Sequence, residues 1–122
     1  MKIQSHRDLI VWQRAMDLAV QVYQVSRAFP RSEVYALTSQ LTRSVTSVAA
    51  NIAEGHARGT ARDYAQFLAV ARGSLMETET LLTLAVRLDY IRPETARPAF
   101  DLITQLSKML ASLRHKILDR IP

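Results

Sequence analysis

Cysteine is absent from this 122-residue chain, and glycine and proline are scarce, at three and four residues. Without cysteine there can be neither a disulfide framework nor a thiolate metal site. No apolar run approaches the roughly 18 residues that a membrane-spanning helix requires. The N-terminal MKIQSHRDLIVW breaks at Gln13 and Arg14 too early for a secretory leader. Together these absences predict a cytoplasmic protein with no membrane segment. Strand-like alternation, internal repeats and low-complexity tails are also missing.

Catalytic patterns are equally sparse. Di-metal sites in helical bundles use Glu-x-x-His pairs, and neither Glu54, Glu77 nor Glu79 has a histidine three residues on. There is no HExxH, no phosphate-binding Gly-rich loop and no dinucleotide fingerprint. No serine or threonine is paired with a helically spaced histidine and an acid. The sequence therefore predicts no enzyme, no cofactor and no metal.

What remains is a composition suited to one domain, 1–122, with its own core: 48% of residues are apolar and 22% charged. The few glycines and prolines cluster and divide the chain into four segments. Helices are predicted over about 9–29, 33–57, 61–89 and 93–120. In the first, Leu9, Trp12, Met16, Ala19, Val22 and Tyr23 recur at helical steps, with Asp8 as N-cap and Pro30 as the stop. The second carries its stripe from Val34 to Ile52 and ends at Gly55 or Gly59 in left-handed geometry. Thr60 to Asp63 has capping-box spacing for the third helix, in which Gly73 marks a close-packing point. Pro93 opens the fourth, where Pro98 must kink it or cost a backbone bond. Short connections favour an antiparallel up-down-up-down four-helix bundle, an all-α fold, with two long hairpins as the other arrangement.

The net charge of +5 invites a polyanion. On that topology the end bearing both termini and the second turn holds seven cations against four acids, among them Arg7, Arg58, Arg62, Lys116 and Arg120. The opposite end holds Arg27, Arg31, Arg87, Arg92 and Arg97 against three acids, and the middle is neutral. His6, His56 and His115 fall with the first group. His56, Arg58 and Arg62 surround a turn beside a helix N-terminus, where anions are favoured, so they lead the candidates for nucleic-acid contact. Arg7, Lys116 and Arg120 join them. Solvated surface charge is the competing reading.

The second helix is nearly free of charge, with Thr38, Ser39, Thr42, Ser44, Thr46 and Ser47 around it. Small residues let backbones approach, which suits either a tight intramolecular contact or, the favoured reading, a subunit interface. Folding the turns back places Trp12, Asn51, Phe67 and His115 at one level. Asn51 then needs a partner: the indole N–H, a histidine nitrogen or a backbone carbonyl. Glu54 is expected to pair internally or with Arg58. Arg72, if buried, needs another helix or a neighbouring subunit.

Three blocks occur in order: DLIVWQRAMDLAVQVYQVSRAFP, YALTSQLTRSVTSVAANIAEGHARG and DYAQFLAVARGSLMETETLL. From Asp8 to Tyr90, with a looser fourth helix, they resemble the bacterial 23S rRNA-intervening-sequence proteins, whose NIAEG and ARGS blocks are specific. A related branch comprises accessory proteins of diversity-generating retroelements. The resemblance implies a homopentameric barrel of four-helix bundles with a basic surface for nucleic acid and, in that branch, a reverse-transcriptase partner. Three functions are weighed: an oligomeric scaffold binding RNA or DNA, a protein-interaction module with incidental charge, and an enzyme with a site made between subunits.

Overall fold

The computed structural model describes residues 2–122, among which there are four long helices and no strand. Helix α1 is Ile10–Ser26, α2 Leu37–Ala57, α3 Ala61–Arg87 and α4 Pro93–Leu118. Their inward stripes meet in a single cluster of buried apolar residues, with Leu18, Leu41, Ile52, Leu68, Leu75, Leu82, Ile103 and Leu106 fully enclosed. Helices α1 and α3 each lie beside α2 and α4 and stand diagonally across the core from each other, and α2 with α3 makes the most extensive contact.

The boundaries differ from the sequence reading for local reasons. Asp8 does not cap α1. It closes a 3-10 turn, His6–Asp8, in a capping box with Ser5, and its carboxylate accepts from the Gln4 and Ser5 amides. Those two bonds, more than any nearby charge, hold the Asp8 carboxyl below its usual range. Helix α1 ends at Ser26, before Pro30, because the amides of Arg27, Ala28 and Phe29 tighten onto carbonyls three residues back. The second helix begins at Leu37. Residues Arg31–Glu33 form a 3-10 turn instead, and the Glu33 carboxylate reaches forward to the Leu37 amide.

No glycine adopts a left-handed conformation. Gly55 lies inside α2, which ends two residues later at Ala57, and Gly59 has open space around it. The close-packing expectation for Gly73 is also wrong: nothing lies within 4 Å of a Cβ built there. The tight position is Gly55, against Phe67 and Tyr64 of α3. A left-handed residue does end one helix, α3, but it is Asp89, at φ 61°. The Asp89 and Tyr90 amides return to Val86 and Ala85, the pattern of a Schellman closure. Thr60 caps α3 as expected, accepting from the Asp63 amide. Helix α4 runs unbroken through Pro98. Pro98 has no N–H for the Glu94 carbonyl, and both residues are exposed, so water can take that bond.

Between α2 and α3 runs a seam of hydroxyls. Ser44 and Thr78 are 2.9 Å apart and buried, and Ser47 and Ser74 are 2.9 Å apart one turn on. Intramolecular packing thus accounts for the small polar residues on this face of α2, while Thr46 and Ala50 remain exposed.

Candidate nucleic-acid interface

The connection between α2 and α3 is the meeting point of most residues singled out above. Helix α2 delivers Asn51, Glu54 and His56 to it, and the first turns of α3 deliver Arg62, Tyr64 and Phe67. The N-terminal turn packs onto α2, close enough for His56 to act electrostatically on Asp8. The end of α4 arrives as well: Arg114 donates from Nε to the Ala65 carbonyl at 3.0 Å. Arg120 lies near enough to Tyr64 to oppose the rise that burial causes in its phenol pKa.

Aromatic rings organise the basic groups here. The His6 ring meets Trp12 edge-on at 5.0 Å, and His56 meets Tyr64 edge-on at 5.8 Å. The Arg58 guanidinium sits 4.9 Å from the centre of the Phe67 ring and 3.1 Å from the Glu54 carboxylate. Arg58 therefore has the i,i+4 partner expected for Glu54, with its side chain 48% exposed. Arg7, Arg62, Lys116 and Arg120 are exposed and form no ion pair among the described residues. These four cations keep their charge available to a ligand. His56 is half-buried, so its contribution is limited to the edge of the cluster.

Asn51 finds its partner on its own helix. Its Nδ2 donates to the Ser47 carbonyl at 2.8 Å and to the Ser47 hydroxyl at 2.9 Å. Of the partners offered by the sequence, the carbonyl is the one used. Trp12 meets the His6 ring instead, and His115 is exposed, with its Nε2 3.7 Å from the Asp119 carboxylate. Arg72 is exposed and in no ion pair among the described residues, because position 72 falls on the outer side of α3, so within the chain the condition that would demand a partner is not met.

Two features were not singled out from the sequence. One is an open groove where Leu9 and Ile10 lie across from Met109 and Leu113, with Lys108 and Lys116 beside them. The other is a pair of exposed apolar patches, Met16, Val20 and Tyr23 on α1, and Leu84 and Leu88 at the end of α3, with Val70 standing alone about 21 Å back along that helix. Helical spacing puts Met16, Tyr23 and Leu88 on inward stripes, yet in the fold all three are exposed. No group of three or more potential metal ligands occurs among the described residues, and no described helix is long and apolar enough to cross a membrane.

Comparison with known proteins is consistent in one direction. The sequence model of the 23S rRNA-intervening sequence proteins matches residues 7–112. A crystal structure from Bacteroides thetaiotaomicron, described as a protein of unknown function from the S23 ribosomal protein family, superposes with a TM-score of 0.77. It is 27% identical, over 86% of this chain and 98% of that one. No curated protein matches.

Proposed function

We propose, from the premise that this chain belongs to the 23S rRNA-intervening sequence protein family, that it is a non-enzymatic, homo-oligomeric helical scaffold binding RNA or DNA through its basic ends. The observation that carries this reading is the cluster of exposed, uncommitted cations around the α2–α3 connection, Arg7, Arg62, Lys116 and Arg120. Phosphate backbones reward such groups by counterion release, which makes affinity fall steeply with salt.

An up-down-up-down bundle of one domain is the arrangement proposed for the subunit. The pairings Ser44 with Thr78, Ser47 with Ser74 and Gly55 with Phe67 support it, since residue numbers rise on α2 as they fall on α3. A ring is proposed for the assembly. Helices α1 and α3 stand diagonally across the core and both present exposed apolar residues, so the two patches face away from each other. Patches so placed suit a head-to-tail contact, which closes into a ring when the rotation permits. Five subunits is the number implied by the family resemblance.

The test is a salt titration of binding to labelled RNA and DNA with the wild type and an Arg7→Gln/Arg62→Gln double variant. The double variant should bind more weakly and lose about 2 from the slope of log affinity against log salt. An affinity indifferent to salt overturns the reading. The groove by Met109 and Leu113 favours a second one, a docking module for a protein partner such as a reverse transcriptase. Partner binding that survives high salt would point there.

A further inference from the structure

The other two connections carry a surface that the reading above leaves unused. They meet through Tyr90, whose hydroxyl donates to the Glu33 carboxylate at 2.7 Å and whose ring lies 5.8 Å from that of Phe29. The second carboxylate oxygen of Glu33 accepts from the Leu37 amide. Glu33 keeps its charge but is tied to these two partners, and with Asp89 and Glu94 it makes three acids in these two segments.

Five arginines surround the junction. Arg27 follows α1, Arg31 starts the 3-10 turn, Arg87 and Arg92 flank the α3–α4 connection, and Arg97 follows in the first turns of α4. All five are exposed, and none forms an ion pair among the described residues. Arg87 and Arg97 line one groove together, and Arg27 lines another beside Tyr23. Every cation here is arginine, whose planar guanidinium binds phosphate in two-point fashion and stacks on bases.

Among them stands Tyr35, 97% exposed, in the segment that leads into α2. A tyrosine with neither face covered leaves a large apolar area in water that the fold does nothing to protect. Bases within a duplex have both faces covered by their neighbours, whereas an unpaired base has a free face for a ring.

We propose that the face formed by the α1–α2 and α3–α4 connections is a binding site for single-stranded nucleic acid, with Tyr35 stacking on an unpaired base and the arginines holding the adjoining phosphates. The proposal rests on the reading that the chain binds nucleic acid, but assigns it a second site and a preferred form. The surface at the α2–α3 connection has its rings turned to other side chains and carries phosphate contact alone.

Fluorescence anisotropy with the full chain tests it, using labelled oligouridylate, oligodeoxythymidylate and a duplex of equal length. Tyr35→Ala should weaken binding of either single strand about tenfold, leave duplex affinity within about twofold, and sediment as the wild type does. Tyr35→Phe, which keeps the ring, should restore single-strand affinity. Arg31→Gln/Arg92→Gln should flatten the salt slope for single strands by about 1.4. An unchanged affinity in Tyr35→Ala, an equal loss on duplex, or an altered assembly state overturns the proposal. If only the Arg7→Gln/Arg62→Gln variant weakens binding, this site falls and the wider reading stands. If the wild type binds no nucleic acid, both fall.

Discussion

At position 55 a side chain of one carbon would already meet α3: its Cβ would lie 2.7 Å from the Phe67 Cβ and 3.2 Å from Cδ1 of Tyr64. A Cβ is fixed to its backbone, so α3 itself would have to move. At position 73 the same carbon would meet nothing within 4 Å. Both glycines lie inside helices, where alanine is intrinsically better by about 1 kcal/mol. The two substitutions should therefore diverge. Gly73→Ala should raise unfolding free energy by up to about 1 kcal/mol, while Gly55→Ala should lower it by roughly 1–3 kcal/mol through overpacking. Urea denaturation of the two variants checks this, and an equal response would remove the close contact from the account. Phe67 and Tyr64 are also the rings that meet Arg58 and His56, so the packing of Gly55 governs where those basic groups stand.

The elements are joined by side chains at their ends as much as by their stripes. Tyr90 links the two connections through Glu33, and that hydrogen bond, more than burial or the carboxylate charge, raises its phenol pKa above the ordinary 10.0. The sign follows from proton linkage. The folded form holds the phenol proton more tightly than the unfolded chain, so the stabilisation is complete below pH 10. It is lost as pH rises past that value through the raised one. Thermal melts should show a decline above pH 10 that Tyr90→Phe reduces, leaving the part due to Tyr64, whose phenol pKa burial also raises. A wild-type melting temperature with the same alkaline dependence as Tyr90→Phe would contradict it. The same residues explain why the second helix starts late. Glu33 fits a helical pattern, but its carboxylate serves both the Leu37 amide and Tyr90, and a tertiary partner is invisible to spacing.

For the whole molecule, the proposed head-to-tail ring gives the α1 and α3 patches a specific, testable role. In a head-to-tail contact each interface uses one patch from each subunit, so damaging either patch breaks every interface. Val20→Glu and Leu84→Glu should each sediment as monomers with helicity retained. An equimolar mixture should form dimers and stop there, because only the undamaged α3 patch of one variant and α1 patch of the other can meet. A contact using the same patch on both subunits would leave at least one single variant fully assembled. Ring closure would also gather the basic ends of several subunits on one rim, multiplying the field that a polyanion meets.

Much of this protein was legible without coordinates. The four helices, the Thr60 cap, the Pro93 start and the Glu54–Arg58 pair follow from periodicity, capping chemistry and i,i+4 spacing, which are all local. The family follows from contiguous blocks of residues. Tertiary structure decided what depends on residues far apart in the chain. Gly55 rather than Gly73 is the tight position because Phe67 comes against it, and Ser47, the local partner of Asn51, is paired with Ser74 across the seam. Arg72 points outward, and Arg58 is occupied while the arginines around Tyr90 are not. Charge can be counted along a sequence, but whether a charge is already partnered depends on what the fold brings beside it.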